Sequence, residues 1–100
     1  MADLQVVAVI TAKAGSERLV GDALRALAES ARSEQGCIAF DLFTSTVDPA
    51  TFVAIEMWHS QRDLDAHLNS PRVRQAFEAA SDHLAQTPAI HPLSIFSVQV

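Results

Sequence analysis

The stretch that decides the fold runs from Phe52 to Leu68, FVAIEMWHSQRDLDAHL. Its first half alternates. Phe52, Ala54, Glu56 and Trp58 fall on one face of an extended chain, and Val53, Ile55 and Met57 fall on the other. Ser60-Gln61-Arg62-Asp63 then has the spacing of a capping box, in which a serine hydroxyl and an acidic side chain satisfy the free N–H groups at a helix start. Leu64, His67 and Leu68 share one face of the helix that follows. Strand, turn and helix together let Trp58, the only tryptophan, meet His67 over one face of a sheet.

Working outward, Cys37–Ser45 (CIAFDLFTS) is rich in strand formers, and Asp48-Pro49 marks a turn. The spacing predicts an antiparallel hairpin with the strand Phe52–His59. Leu4–Ala12 is β-branched and nearly all apolar, as a strand covered on both faces should be. Lys13 to Ser16 break it, with Ser16 placed to cap a helix. From Glu17 the period becomes helical. Val20, Ala23, Leu24, Leu27, Ala28 and Ala31 form one stripe, and Gly36 is read as a left-handed stop.

Downstream, Ser70 caps a further helix with Pro71 at its first position. Val73, Ala76, Phe77, Ala80 and Leu84 recur at helical spacing as far as Gln86. Thr87–Pro92 reads as a loop, and Leu93–Val100 (LSIFSVQV) as the last strand. The order β-α-β-β-α-β predicts one α+β domain over residues 1–100. Its architecture is ferredoxin-like, a four-stranded antiparallel sheet with helices on one face. The uncovered face would be too apolar to leave in water, which predicts a homodimer packed sheet against sheet.

Composition narrows the function. The chain is 49% hydrophobic and 19% charged, with a formal net charge of -5. No basic stripe marks it for nucleic acid or for an anionic membrane surface. Cys37 stands alone, so neither an intrachain disulfide nor a thiolate cluster can form. No basic segment precedes an apolar run, and no stretch is long enough to span a bilayer, so the expected compartment is the reducing cytoplasm. His59, His83 and His91 lack ligand spacing with His67, and no metal site is expected. Without a glycine-rich phosphate loop or a nucleophile elbow, a dinucleotide cofactor has no evident seat.

Three residues carry the chemistry. Glu56 sits in mid-strand on the face of Phe52 and Trp58, where a carboxylate needs a partner or a shifted pKa. An ion pair to an arginine is one reading, and a cavity wall is the other. Trp58 is either core filler or a flat wall for an aromatic ligand. His67 is either a satisfied core histidine or a neutral base able to take a phenol proton near neutral pH.

Taken in order, several short motifs resemble the antibiotic biosynthesis monooxygenase superfamily of dimeric α+β-barrel proteins. They are Ala12-Lys13-Ala14-Gly15, Ser33-Glu34-Gln35-Gly36-Cys37 before Phe40, Asp48-Pro49, Phe52-Val53, Glu56-x-Trp58-x-Ser60, Leu64, His67-Leu68 and Ser70-Pro71. The resemblance implies a dimer closing through its sheets into a barrel. It also implies oxidation of an aromatic phenol or quinol-like molecule by molecular oxygen, without metal or flavin. On that analogy His67 and Trp58 are catalytic, and Phe52, Glu56, Leu64 and Phe77 line the substrate site. Haem-degrading relatives use an Asn in the first strand, and Val6–Ile10 contains none. Some oxygenase members use a Tyr, and this chain has none. A non-catalytic dimer that binds a small molecule, or an isomerase or haem-handling protein on the same scaffold, are the alternatives.

Overall fold

The computed structural model describes residues 3–96. Its elements are β1 (Leu4–Thr11), α1 (Glu17–Arg32), β2 (Cys37–Thr44), β3 (Thr51–Trp58), α2 (Gln61–Leu68), α3 (Pro71–Ala80) and β4 (Ala89–Leu93), with a 3-10 turn at Ser81–His83. The strands form one sheet in the order β2-β3-β1-β4, every neighbouring pair antiparallel. This is the ferredoxin-like α+β topology expected from the element order. Among the described residues no helix is long and apolar enough to cross a membrane.

Register explains the two faces. Val6, Ala8 and Ile10 of β1 lie opposite Glu56, Ala54 and Phe52 of β3, and all six are buried beneath the helices. Val20, Leu24, Leu27, Ala28 and Ala31 of α1 close over them as the predicted stripe. On the outer face Phe43, Val53, Val9 and Ala89 form one cross-strand row, and Ala39, Met57, Gln5 and Leu93 another. Phe43, Ile55 and Leu93 are exposed there.

Four local expectations are corrected. The last helix stops at Ala80 rather than near Gln86, because Leu84 drops to bridge Ala12 and Ala85 N–H donates to the Thr11 carbonyl. Among the described residues the last strand is Ala89–Leu93, in the stretch expected to be loop; of the expected strand Leu93–Val100, residues 94–96 are not strand and residues 97–100 lie outside the described segment. Pro92 is tolerated within β4 because, among the described residues, β4 is an edge strand paired with β1 alone. Ser16 occupies the cap position of α1 without capping it, its hydroxyl lying 3.0 Å from Nδ1 of His83 instead.

The fourth correction concerns Gly36. Its backbone is not left-handed; Gly15 alone among the described residues has a positive φ. Gly36 is required by close approach. A Cβ there would sit well inside van der Waals contact of the Asp63 side chain. Asp63 cannot easily give way, since Ser60 Oγ accepts from its N–H at 3.1 Å and donates to its Oδ2 at 3.0 Å. Gly36→Ala is expected to destabilise the fold by about 1 to 3 kcal/mol, the usual range for overpacking. Urea unfolding reads this as a lowered midpoint at unchanged slope.

Candidate functional site

The site is built where β3 hands over to α2. The period of β3 points Glu56 and Trp58 to the same side, and Trp58 Nε1–H donates to Glu56 Oε1 at 2.9 Å. Trp58 is fully buried and Glu56 is 5% exposed. Glu56 was open to an arginine partner on sequence grounds; its partner is the indole. The Ser60 cap fixes the start of α2, and two turns on His67 is laid over Trp58, ring centroids 4.6 Å apart and tilted by 38°. Phe40, paired with Glu56 across β2 and β3, approaches the imidazole from the side at 6.0 Å.

His67 is buried, and its Nδ1 lies 2.8 Å from Oε2 of Glu34 in the loop between α1 and β2. Glu34 stood in the sequence only as part of a motif. Its place in a short polar loop gave no sign of contact with a residue 33 positions on. Neither the second nitrogen of His67 nor Oε2 of Glu56 has a hydrogen-bond partner among the described residues. Neither is sealed away, because no enclosed side-chain nitrogen or oxygen there lacks a partner.

Both groups line a cavity of about 30 Å³. Ala8 and Ala54 form its floor, and Phe40, Leu24, Leu68 and Phe77 its walls. Of its lining residues, only Glu56 and His67 ionise. The volume suits a water or two; drug-sized ligand sites run to about 300–1,000 Å³. Trp58 and Leu64 are buried outside the lining. Phe52 lies elsewhere, against Gly21 under an open groove that Arg25 and Arg32 flank. Among the named candidates the fold therefore joins Glu56, His67 and Phe77 at the cavity, sets Trp58 behind them and leaves Phe52 apart.

Burial pushes the Glu56 carboxyl above its ordinary 4.5, and the Trp58 N–H and the His67 charge only partly oppose this. Burial, then Glu34 and Glu56, raises the Cys37 thiol, which suits an inert residue. No cluster of three or more His, Cys, Asp or Glu fit to hold a metal occurs among the described residues.

This is a ferredoxin-like protein with a carboxyl and an imidazole lining an apolar cavity. The family model for antibiotic biosynthesis monooxygenase matches residues 4–79, and the chain belongs to that family. A solved antibiotic biosynthesis monooxygenase is 29% identical with a TM-score of 0.86, the match covering 94% of this chain and 99% of that one. A protein of known structure from Pseudomonas aeruginosa is 29% identical with a TM-score of 0.87, covering 97% of each chain. An uncharacterised protein of Synechocystis sp. is 30% identical over 71 residues, which are 71% of this chain and 48% of that protein. The chain thus spans about half the length of that relative.

The raised Glu56 pKa has a signed consequence for stability. The folded state holds this proton more tightly than the unfolded chain. Ionisation therefore costs stability, absent below the ordinary 4.5 and growing until pH passes the raised value. Glu56→Gln keeps an acceptor for Trp58 and removes the charge. Relative to wild type it should gain stability as pH rises from 4.5, read from melting temperatures across pH. A constant offset between the two would count against a buried ionising carboxyl.

Proposed function

We propose that the protein is a homodimeric monooxygenase that needs no metal or flavin and oxidises an aromatic phenol or quinol-like molecule with molecular oxygen. The observation that carries this reading is a buried imidazole with one nitrogen free of hydrogen bonds among the described residues and a buried carboxyl, both lining one apolar cavity. Family membership supports it. His67 takes the proton from the substrate hydroxyl or, in the keto form of an anthrone-type substrate, from the CH₂ across the ring from the carbonyl. The resulting anion is electron-rich and is held away from water, where it can reduce oxygen. In the net reaction a CH₂ becomes C=O; one oxygen atom enters the product and the other leaves as water. The substrate supplies all four electrons that reduce O₂, so the step needs no external reductant.

In this reading Trp58 positions His67 from behind rather than touching substrate. Phe77 and Leu68 have to move outward to admit a ring, since the resting cavity is too small for one. Leu64 holds α2 in place from the core, and Phe52 stands outside the substrate site. The outer sheet face supplies the dimer contact, with Val53, Ile55, Met57 and Phe43 at its centre.

Oxygen uptake by metal-free protein, measured with a panel of anthrone-type phenols and quinols, tests the reading. His67→Ala is expected to lower turnover by about 10²-fold or more, the usual contribution of a positioned base, while the folded state persists by circular dichroism. Equal turnover would remove His67 from the reaction. Met57→Lys places a charge in the proposed contact and should convert the dimer to a monomer in sedimentation. A dimeric Met57→Lys protein would refute that assignment.

A further inference from the structure

Glu34 contacts His67, and the reaction outlined above leaves it idle. Its loop is held at three points. His59 N–H donates to the Gly36 carbonyl at 3.0 Å, Glu34 N–H donates to the Ala31 carbonyl at 3.0 Å, and Cys37 N–H donates to the Glu34 carbonyl at 3.1 Å. The absent side chain of Gly36 lets the loop press against Asp63, itself locked into the α2 cap. One rigid assembly therefore carries both ends of the Glu34–His67 contact. Arg32, two residues earlier, is engaged elsewhere, donating through Nε to the Phe40 carbonyl at 2.9 Å.

A carboxylate only accepts hydrogen bonds, and the nitrogen it holds is the one that carries the proton. We propose that Glu34 is the positioning residue of this site, fixing the neutral His67 ring with its proton on Nδ1 and leaving Nε2 as the basic nitrogen toward the cavity. Without Glu34 the ring could place its proton on Nε2, where it would face the cavity as a donor and could not act as a base. Trp58 and Phe40 restrain the ring plane but cannot choose between its nitrogens, since both meet it through aromatic contacts. This role rests on the proposed function for its importance, but not for its existence.

The test is the tautomer itself. Long-range ¹H–¹⁵N spectra of the full chain, at a pH where the ring is neutral, distinguish a protonated from an unprotonated nitrogen. His67→Gln assigns the signal among the four histidines. Wild type is expected to show Nδ1 protonated, and Glu34→Ala to shift the ring to a mixture in which Nε2–H predominates. Glu34→Ser serves as a second removal should Glu34→Ala not fold. Wild-type His67 with its proton on Nε2, or a folded removal variant with the wild-type pattern, would overturn the assignment. The oxygen-uptake panel separates this from the functional reading. A tautomer shift with no uptake by wild type leaves Glu34 in its role and removes the oxygenase; uptake with no tautomer shift does the reverse.

Discussion

A carboxyl group under a layer of helices has to find a donor, and Glu56 finds one two residues along its own strand. That hydrogen bond organises what lies above it. Leaving a buried acceptor unpaired costs about 1–3 kcal/mol, more for a charge, whereas an aromatic contact contributes about 0.5–1.5 kcal/mol. The indole N–H is therefore committed to Glu56 first, and the ring face is what remains for His67. Trp58 is fixed by its polar atom and used by its surface. The imidazole then lies in a defined plane, pinned at its far nitrogen by a loop that only glycine allows to come so close.

The inner and outer faces of the sheet have different chemistry from the same strands. The inner face holds small residues, Ala8 and Ala54, opposite each other at its centre. They open the gap that larger side chains would fill, and the cavity is the result. The outer face carries Val7, Val9, Val53, Ile55 and Phe43 with little to cover them within one chain. One chain thus has a closed core on one side of the sheet and a largely apolar, partly exposed face on the other. The likeness to a solved antibiotic biosynthesis monooxygenase extends over most of the chain, sheet and helices together.

Much of this was legible in the sequence. The strict alternation of Phe52–Trp58 gave the strand and its faces, and the Ser60 and Ser70 caps gave both later helix starts, since these signals are local. The last quarter misled because tertiary contacts override local pattern there. Leu84 keeps its helical spacing yet is drawn to the sheet, and His91-Pro92 pairs with β1 although proline argues for a loop. Glu56 could be recognised as unusual, but the reading offered it an arginine, and the donor proved to be the indole two residues along the same strand face. Glu34 was invisible as a partner, because its meeting with His67 depends on the approach of two distant segments. The cavity volume was equally out of reach, being set by how Phe77 and Leu68 settle over two alanines.

Pro92 has a further consequence. It sits in β4, one of the two edges of the sheet, and has no N–H with which to continue a ladder. The opposite edge, β2, is interrupted by an irregularity between Cys37 and Ala39 and presents Asp41 beyond it. Edges blunted in these ways resist the stacking of strand upon strand that leads to fibrous aggregates. A chain with so apolar an outer face needs that protection. With both edges poor templates, a further strand has little to add to at either margin, and growth edge upon edge is disfavoured.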